Sequence, residues 1–456
     1  MIREGHILLK LADGHETRAP AHLDVLDGIK RPAISVDGSG RIDRVIAAHT
    51  SAVRCRRCFH AHDSLSHVGA RHTCYDNVEM TLGLDRVLSI EIADTDATHN
   101  LVRELQDLGA VDWALVEPLA AAPLRAASSM SKARPHSLRD AFALIGAPQA
   151  LAIEPGSRTI PVAVIDTGVA LDHAEFAGRL RVGYDTVDLG IGRVSGDVSL
   201  VGDSMGRDFC ARDETGHGTH VAGIIGARGL SMPHGLAGHS PLIPVRALAA
   251  AKSGDGPVFG VGGLSDIDAA IKVAVDMGAR VLNMSFGTAR SEVDEHAPPP
   301  HSDVIDYANA RGVIPVAAIG NSGAEEDYYP AALPGCIAVG SVGLNGAHSE
   351  FSTMGAHIAL CAPGEDILSA GLTGYRHSTG TSHAAPFVSA AVALLAARAE
   401  RRGHHLTTGE AREALCLSAR RMGDPDTATG WGMLDVPAAL AHLDTMTFDD
   451  AQEARP

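Results

Sequence analysis

Three short motifs carry the residue types that amide hydrolysis needs: a nucleophile, a base to take its proton, and an anion to orient the base. Residues 164–168 (VIDTG) place Asp166 at the end of an apolar run. Residues 216–223 (GHGTHVAG) place His217 where a helix can open. Residues 380–386 (GTSHAAP) place Ser382 at a turn into a long apolar stretch. Singly, each has a plain alternative, because strand-end aspartates, helix-start histidines and N-cap serines are common. Jointly they supply the carboxylate, imidazole and hydroxyl of a nucleophilic triad in the chain order Asp, His, Ser.

Such groups need a rigid frame. Residues 160–165, 242–248, 281–285, 313–318 and 337–342 are short apolar runs that read as buried strands. Residues 265–277 begin with Ser-Asp-Ile-Asp, a capping-box signature, and carry apolar residues at helical spacing. Residues 384–398 and 408–420 read as further helices. Strands alternating with helices predict an α/β protein with a doubly wound, mostly parallel sheet and helices on both faces. Active sites in such sheets lie at the carboxyl ends of the strands, which is where the three motifs fall.

The chain of 456 residues allows two or three domains at ~150 residues each. Residues 120–136 (AAAPLRAASSMSKARPH) are small, polar and basic and read as a linker. The expected division is an N-terminal α+β domain over 1–120, a linker over 121–136, the catalytic body over 137–444 and an acidic tail over 445–456. A net charge of −17 repels phosphate backbones, so nucleic-acid partners are not expected. Seven cysteines, an odd and sparse number, do not read as a disulfide framework. No unbroken run reaches the roughly 18 apolar residues of a membrane span, and no apolar stretch near residue 1 reads as a signal-peptide core. The expectation is a cytoplasmic protein without a membrane partner, with export by a non-Sec route the alternative.

The three motifs together resemble those of the subtilisin-like serine proteases, the subtilase family, over roughly residues 135–443. The resemblance implies a subtilisin-like fold and a serine endopeptidase without a cofactor, acting on protein or peptide substrates. It implies that Ser382 attacks the scissile carbonyl, His217 shuttles the proton, and Asp166 holds the imidazole. Asn321, within 317–323 (AAIGNSG), matches the family's oxyanion-hole asparagine, with the Ser382 backbone N–H as second donor. Ser285, Phe286 and Gly287 match one edge of the substrate cleft, and Gly260, Gly262 and Gly263 look like the opposite edge. Glycines there are expected to let a peptide backbone approach as an added strand. A non-catalytic peptide-binding relative and an acyl-transferring variant are the competing readings.

Several positions depart from the family pattern. His383 follows the nucleophile where an apolar residue is usual, and is expected to sit buried and hydrogen-bonded. Ile319 replaces a small residue beside the primary specificity pocket and is expected to narrow it. Glu175 stands where a calcium ligand is often aspartate, so calcium is not assigned. His220 reads as structural, and Cys210, Cys336 and Cys361 as packed thiols.

The N-terminal segment holds Cys55, Cys58, His60, His62, His67, His72 and Cys74, which are zinc-ligand types. Only one CxxC is present, and on a strand its two thiols face opposite sides, so no metal is assigned. Residues 87–93, 96–108 and 111–116 form a strand–helix–strand pattern ahead of the linker. This pattern resembles the propeptide-type inhibitory domain of subtilases, whose tail lies in the cleft. The chain's own N-terminal domain is therefore an expected partner of its cleft.

Overall fold

The computed structural model describes residues 1–21, 31–38, 40–62, 74–122, 138–190, 194, 196–294 and 297–448. The N-terminal segment contains β1 (Ile2–Leu11), β2 (Val53–Arg57), β3 (Val87–Ile92) and β4 (Val111–Ala122). Two amphipathic helices, α1 (Arg41–His49) and α2 (Thr98–Gln106), cover one face of these strands. The period of two in a strand divides the side chains between two cores. Ile7, Leu9, Leu88 and Ile90 pack under Ile42, Leu101 and Leu105, whereas Leu8, Val87 and Leu115 join the core of the following body.

The body opens with β5 (Val162–Asp166), β6 (Tyr184–Asp185), β7 (Val198–Val201) and β8 (Leu242–Arg246). Next come β9 (Ala249–Ser253), β10 (Val258–Gly263), β11 (Val281–Met284), β12 (Thr288–Ala289) and β13 (Ile314–Ala318). The last are β14 (Tyr328–Tyr329), β15 (Ile337–Val342), β16 (Ile358–Pro363), β17 (Ile367–Ala370) and β18 (Tyr375–Ser378). A seven-stranded parallel sheet runs β16-β15-β13-β11-β5-β8-β6. Its strands are buried on both faces, which explains their near-continuous apolar runs.

Four helices position the site: α3 (His217–Gly226), α4 (Leu264–Asp276), α5 (Ser302–Ala310) and α6 (Thr381–Arg401). Val162 and Val164 point towards α3 and α6, and Ala163 and Ile165 towards α4 and α5. By length and composition α6 could cross a membrane, but 94% of its apolar window is buried inside the protein. The expected doubly wound α/β architecture is what the chain forms.

Three local expectations change. The expected linker does not begin at 121, because Ala120, Ala121 and Ala122 belong to β4 and pair with Gly262, Val261 and Gly260 of β10. The rest of that linker, from 123, lies outside the described residues. One sheet therefore runs β2-β3-β1-β4-β10-β9-β7 through both parts of the chain. The capping box of α4 is not formed: Gly263 is the N-cap, and the Ser265 N–H and hydroxyl donate to Glu117 of β4 instead. The acidic tail begins later than expected, since Thr445 ends the helix Val436–Thr445 and Phe448 stacks on His404. Residues 449–456 lie outside the described residues.

Candidate active site

Asp166 is the last residue of β5, so its carboxylate emerges at the carboxyl edge of the parallel sheet, fully buried. Its Oδ1 accepts from Thr167 N–H at 2.7 Å and lies 2.7 Å from His217 Nδ1. His217 is the first residue of α3, behind Gly216 at φ 88°. Glycine at 218 brings that helix start up to the strand: a Cβ there would sit 2.2 Å from the Gly168 carbonyl and 3.0 Å from Asp166 Cβ. Burial disfavours a charged His217 ring, yet the Asp166 charge and hydrogen bond outweigh it and raise its pKa above the usual 6.5. The shared bond fixes Nδ1 towards Asp166 and leaves Nε2 for proton transfer.

Sequence reasoning missed the residue that ties these loops together. Asp213, buried, accepts from Thr167 Oγ1 at 2.8 Å and from the Thr215 and Gly216 N–H groups, both at 2.9 Å. Its other oxygen accepts from Thr219 N–H at 2.9 Å and Thr219 Oγ1 at 2.6 Å. The Asp-x-Thr-Gly spacing before His217 is an Asx-turn signature that could have flagged it.

Ser382 is the second residue of α6, so its N–H is one of the helix's first donors, with no intrahelical acceptor. Pro386, four residues on, has no N–H to give the Ser382 carbonyl. Ser285 Oγ donates to that carbonyl instead, at 2.9 Å. Asn283 Nδ2 donates to Ser285 Oγ at 3.0 Å, and Ser389 Oγ donates to Asn283 Oδ1 at 2.8 Å, locking β11 to α6. The Ser382 hydroxyl itself donates to the Ser285 carbonyl at 2.9 Å. His217 Nε2 has no hydrogen-bond partner among the described residues. Asn321 Oδ1 accepts from Thr381 N–H at 2.9 Å and Thr381 Oγ1 at 3.1 Å, which orients its amide beside the start of α6.

His383 is buried, as expected, but its Nδ1 makes no hydrogen bond among the described residues. Its ring lies 5.4 Å from that of His217 and 4.5 Å from that of His220. Burial and the neighbouring histidines hold its pKa well below 6.5, so it stays neutral. His220 bonds the Ile367 carbonyl at 2.9 Å, joining α3 to β17.

The cleft edges carry two corrections. Ile319 does not line the pocket: it is fully buried in a cluster with Val342, Ile358, Cys361 and Met433. The glycines of β10 serve packing on the body as much as close backbone approach. A Cβ at Gly260 would meet Thr167 Cγ2 at 2.6 Å, at Gly262 the Ala247 carbonyl at 2.5 Å, and at Gly263 Glu117 Oε1 at 2.8 Å. Ser285 and Phe286 are buried, and Gly287 bridges to Ala121 of β4. The Leu119–Ala122 stretch of β4 is thus flanked by β10, with Gly287 opposite Ala121.

The metal-ligand candidates separate. Cys55 of β2 packs in the N-terminal core and Cys58, just past the strand's end, in the shared core, and burial pushes the Cys55 thiol up to about 12. His67 and His72 lie outside the described residues. Glu175 is buried and accepts from the N–H groups of Gly229, Leu230 and Ser231 and from the Tyr375 hydroxyl. Those donors take up the carboxylate that a calcium ion would need. Cys210 is exposed rather than packed, whereas Cys336 and Cys361 are buried.

Residues 157–432 match the sequence model of the subtilase family. The chain belongs to the subtilase family of serine proteases. It is 33% identical over 295 residues to a thermophilic serine proteinase of Bacillus sp. (strain AK1), covering 64% of this chain and 64% of that one. It is 35% identical over 269 residues to the major intracellular serine protease of Bacillus subtilis (strain 168), covering 57% and 75%. Among solved structures, a protease of Pseudoalteromonas arctica superposes with TM-score 0.55 at 29% identity, covering 66% of this chain and 94% of that one. The prenylagaramide maturation protease PagA superposes with TM-score 0.52 at 29% identity, covering 65% and 98%.

Proposed function

We propose that this subtilase is a serine endopeptidase that cleaves extended polypeptides through an acyl-enzyme on Ser382. The observation that carries the reading is the buried 2.7 Å bond between Asp166 and His217, beside a serine at the start of a helix. The Ser382 hydroxyl turns from the Ser285 carbonyl to His217 Nε2, which takes its proton as Oγ bonds to the scissile carbon. Asn321 Nδ2 and the Ser382 N–H donate to the oxyanion, aided by the helix N-terminus. Collapse breaks the C–N bond, and the imidazolium gives its proton to the leaving amine. Water then attacks the ester by the same route in reverse, and Ser382 regains its proton.

The N-terminal segment acts as the cleft's own inhibitor or folding partner in this reading. Support comes from the pairing of Leu119–Ala122 with β10 and of Ala121 with Gly287, the way an extended substrate adds a strand.

The test is a fluorophosphonate probe on the folded full chain. Labelling at Ser382, lost in Ser382→Ala, is the expected result. A folded protein that stays unlabelled after prolonged exposure overturns the reading and favours a peptide-binding module. N-terminal sequencing of wild type beside Ser382→Ala separates self-processing, with a new N-terminus in the wild type alone, from a permanently attached segment.

A further inference from the structure

The pocket beside Ser382 and Asn321 has two walls. One is the Ser285–Phe286 edge, the other Ala318 and Gly320, and Tyr328 also lines it. Once a scissile carbonyl bonds Ser382 Oγ with its oxygen towards Asn321, the side chain on its acyl side falls into this depression. The pocket encloses only about 180 Å³, open solvent included.

Ala121 of β4 lines the pocket as well, and between the two walls stands the Tyr328 ring. A Cβ built on Gly287 would sit 2.4 Å from Tyr328 Cε1 and 2.8 Å from Cδ1. A Cβ built on Gly320 would sit 3.0 Å from both Cδ2 and Cγ of the same ring. One edge of the ring therefore rests on Gly287 and the other on Gly320, so the ring spans the gap between the walls. Both glycines are needed for it to fit.

The ring is also anchored. Its backbone is β14, which pairs with β12 immediately after Gly287, in the register Thr288 to Tyr329 and Ala289 to Tyr328. The opposite wall is held in turn: the Gly320 carbonyl accepts from Thr353 N–H at 3.1 Å and Thr381 Oγ1 at 3.1 Å. The Gly320 wall cannot widen without breaking Thr381 contacts that also position Asn321, nor the Gly287 wall without parting β12 from β14.

We propose that Tyr328 closes the primary specificity pocket, so that the enzyme cleaves after small residues such as glycine, alanine or serine and rejects aromatic ones. The inference rests on the serine-endopeptidase reading. Discrimination arises from exclusion: a large side chain must expel the ring or leave the acyl carbon out of reach of Ser382.

The test uses two peptidyl diphenyl phosphonates, identical except for alanine or phenylalanine at the position next to the phosphorus, reacted with the full chain. Both compete with β4 for the same cleft, so the ratio of their Ser382 labelling rates reads the pocket alone. The wild type is expected to favour the alanine probe by about 100-fold or more. Tyr328→Gly is expected to raise the phenylalanine rate at least about tenfold, and Tyr328→Phe, which keeps the ring, to retain the wild-type ratio. Equal wild-type rates, or a ratio unmoved in Tyr328→Gly, overturn the proposal. Loss of the preference in Tyr328→Phe overturns it too, since the hydroxyl and not the ring would then decide. If neither these probes nor a small fluorophosphonate labels Ser382, the catalytic reading has failed, and this one with it.

Discussion

His383 places a polar ring against the proposed catalytic base, and its effect depends on charge. Around His217 stand Asp166 and Asp213, which favour its protonated form, and Arg376, which opposes it. His383 stays neutral because burial and the adjacent histidines exclude its charge. A protonated His217 cannot take the Ser382 proton, so activity must fall as pH drops through the His217 pKa. That pKa is raised, so the acid limb of kcat/KM is expected above pH 6.5. His383→Met should leave this limb in place. It should also leave stability unchanged or improve it by about 1 kcal/mol, since a buried nitrogen without a partner is removed. A pH–rate profile and a urea midpoint check both outcomes; a displaced limb would mean that His383 carries charge in the enzyme. Asp166, His217, Ser382 and Asn321 were legible because each sits in a motif of several residues. Tyr328 was not, because its effect depends on glycines 41 and eight positions before it, at 287 and 320, that only the fold brings to one ring.

At the scale of elements, α6 shows how a local defect becomes a fixed contact. Pro386 frees the Ser382 carbonyl, and Ser285, the residue after β11, fills the gap. Ser285→Ala should cost about 1–3 kcal/mol, because a buried carbonyl loses its donor. Pro386→Ala supplies an N–H within the helix, so the double variant should lose less than Ser285→Ala alone. Unfolding of the four proteins in a double-mutant cycle checks the sign; strictly additive losses would show that the two residues do not serve one carbonyl. The parallel strands β5, β8, β11, β13 and β15 were readable from their apolar runs, α4 from helical spacing and α6 from its long apolar stretch, whereas β16 and the two-residue β6 were not. The extension of β4 was not, since Ala120, Ala121 and Ala122 carry no alternation and their partners lie on β10, far along the chain. The Ser-Asp-Ile-Asp signal of α4 was overridden in the same way, by a glutamate from another part of the chain.

Across the whole molecule, the N-terminal segment meets the body through buried charge as well as through β4. Lys272 of α4 lies 2.7 Å from Glu79 and 2.7 Å from Asp276, all three side chains fully buried. His62 Nδ1 stands 2.8 Å from Asp276 Oδ1, to which the Tyr307 hydroxyl also donates, at 2.6 Å. His60 lies 3.0 Å from the other oxygen, and Arg311, just past the end of α5, completes the surroundings. Burial lowers the His60 pKa and raises that of Tyr307, which moves both away from the range in which His62 titrates. The bond to Asp276 raises the His62 pKa. Its stabilisation is therefore complete below about 6.5, the unfolded value, and is lost as pH climbs through the folded one. At the acid end the sign reverses. Burial opposes the Asp188 charge, but Arg56, 2.6 Å away, and Arg207 depress its pKa to about 2. That contribution is present above the unfolded carboxylate value and disappears as pH falls through about 2. The grip of the N-terminal segment should thus loosen as pH rises from about 6 to 9, and hydrogen exchange of the β4 amides, corrected for the intrinsic rate, reads it. Wild-type protection is expected to fall over that range. His62→Ala should begin lower and stay level; an equal fall in both proteins would place the pH-sensitive group elsewhere.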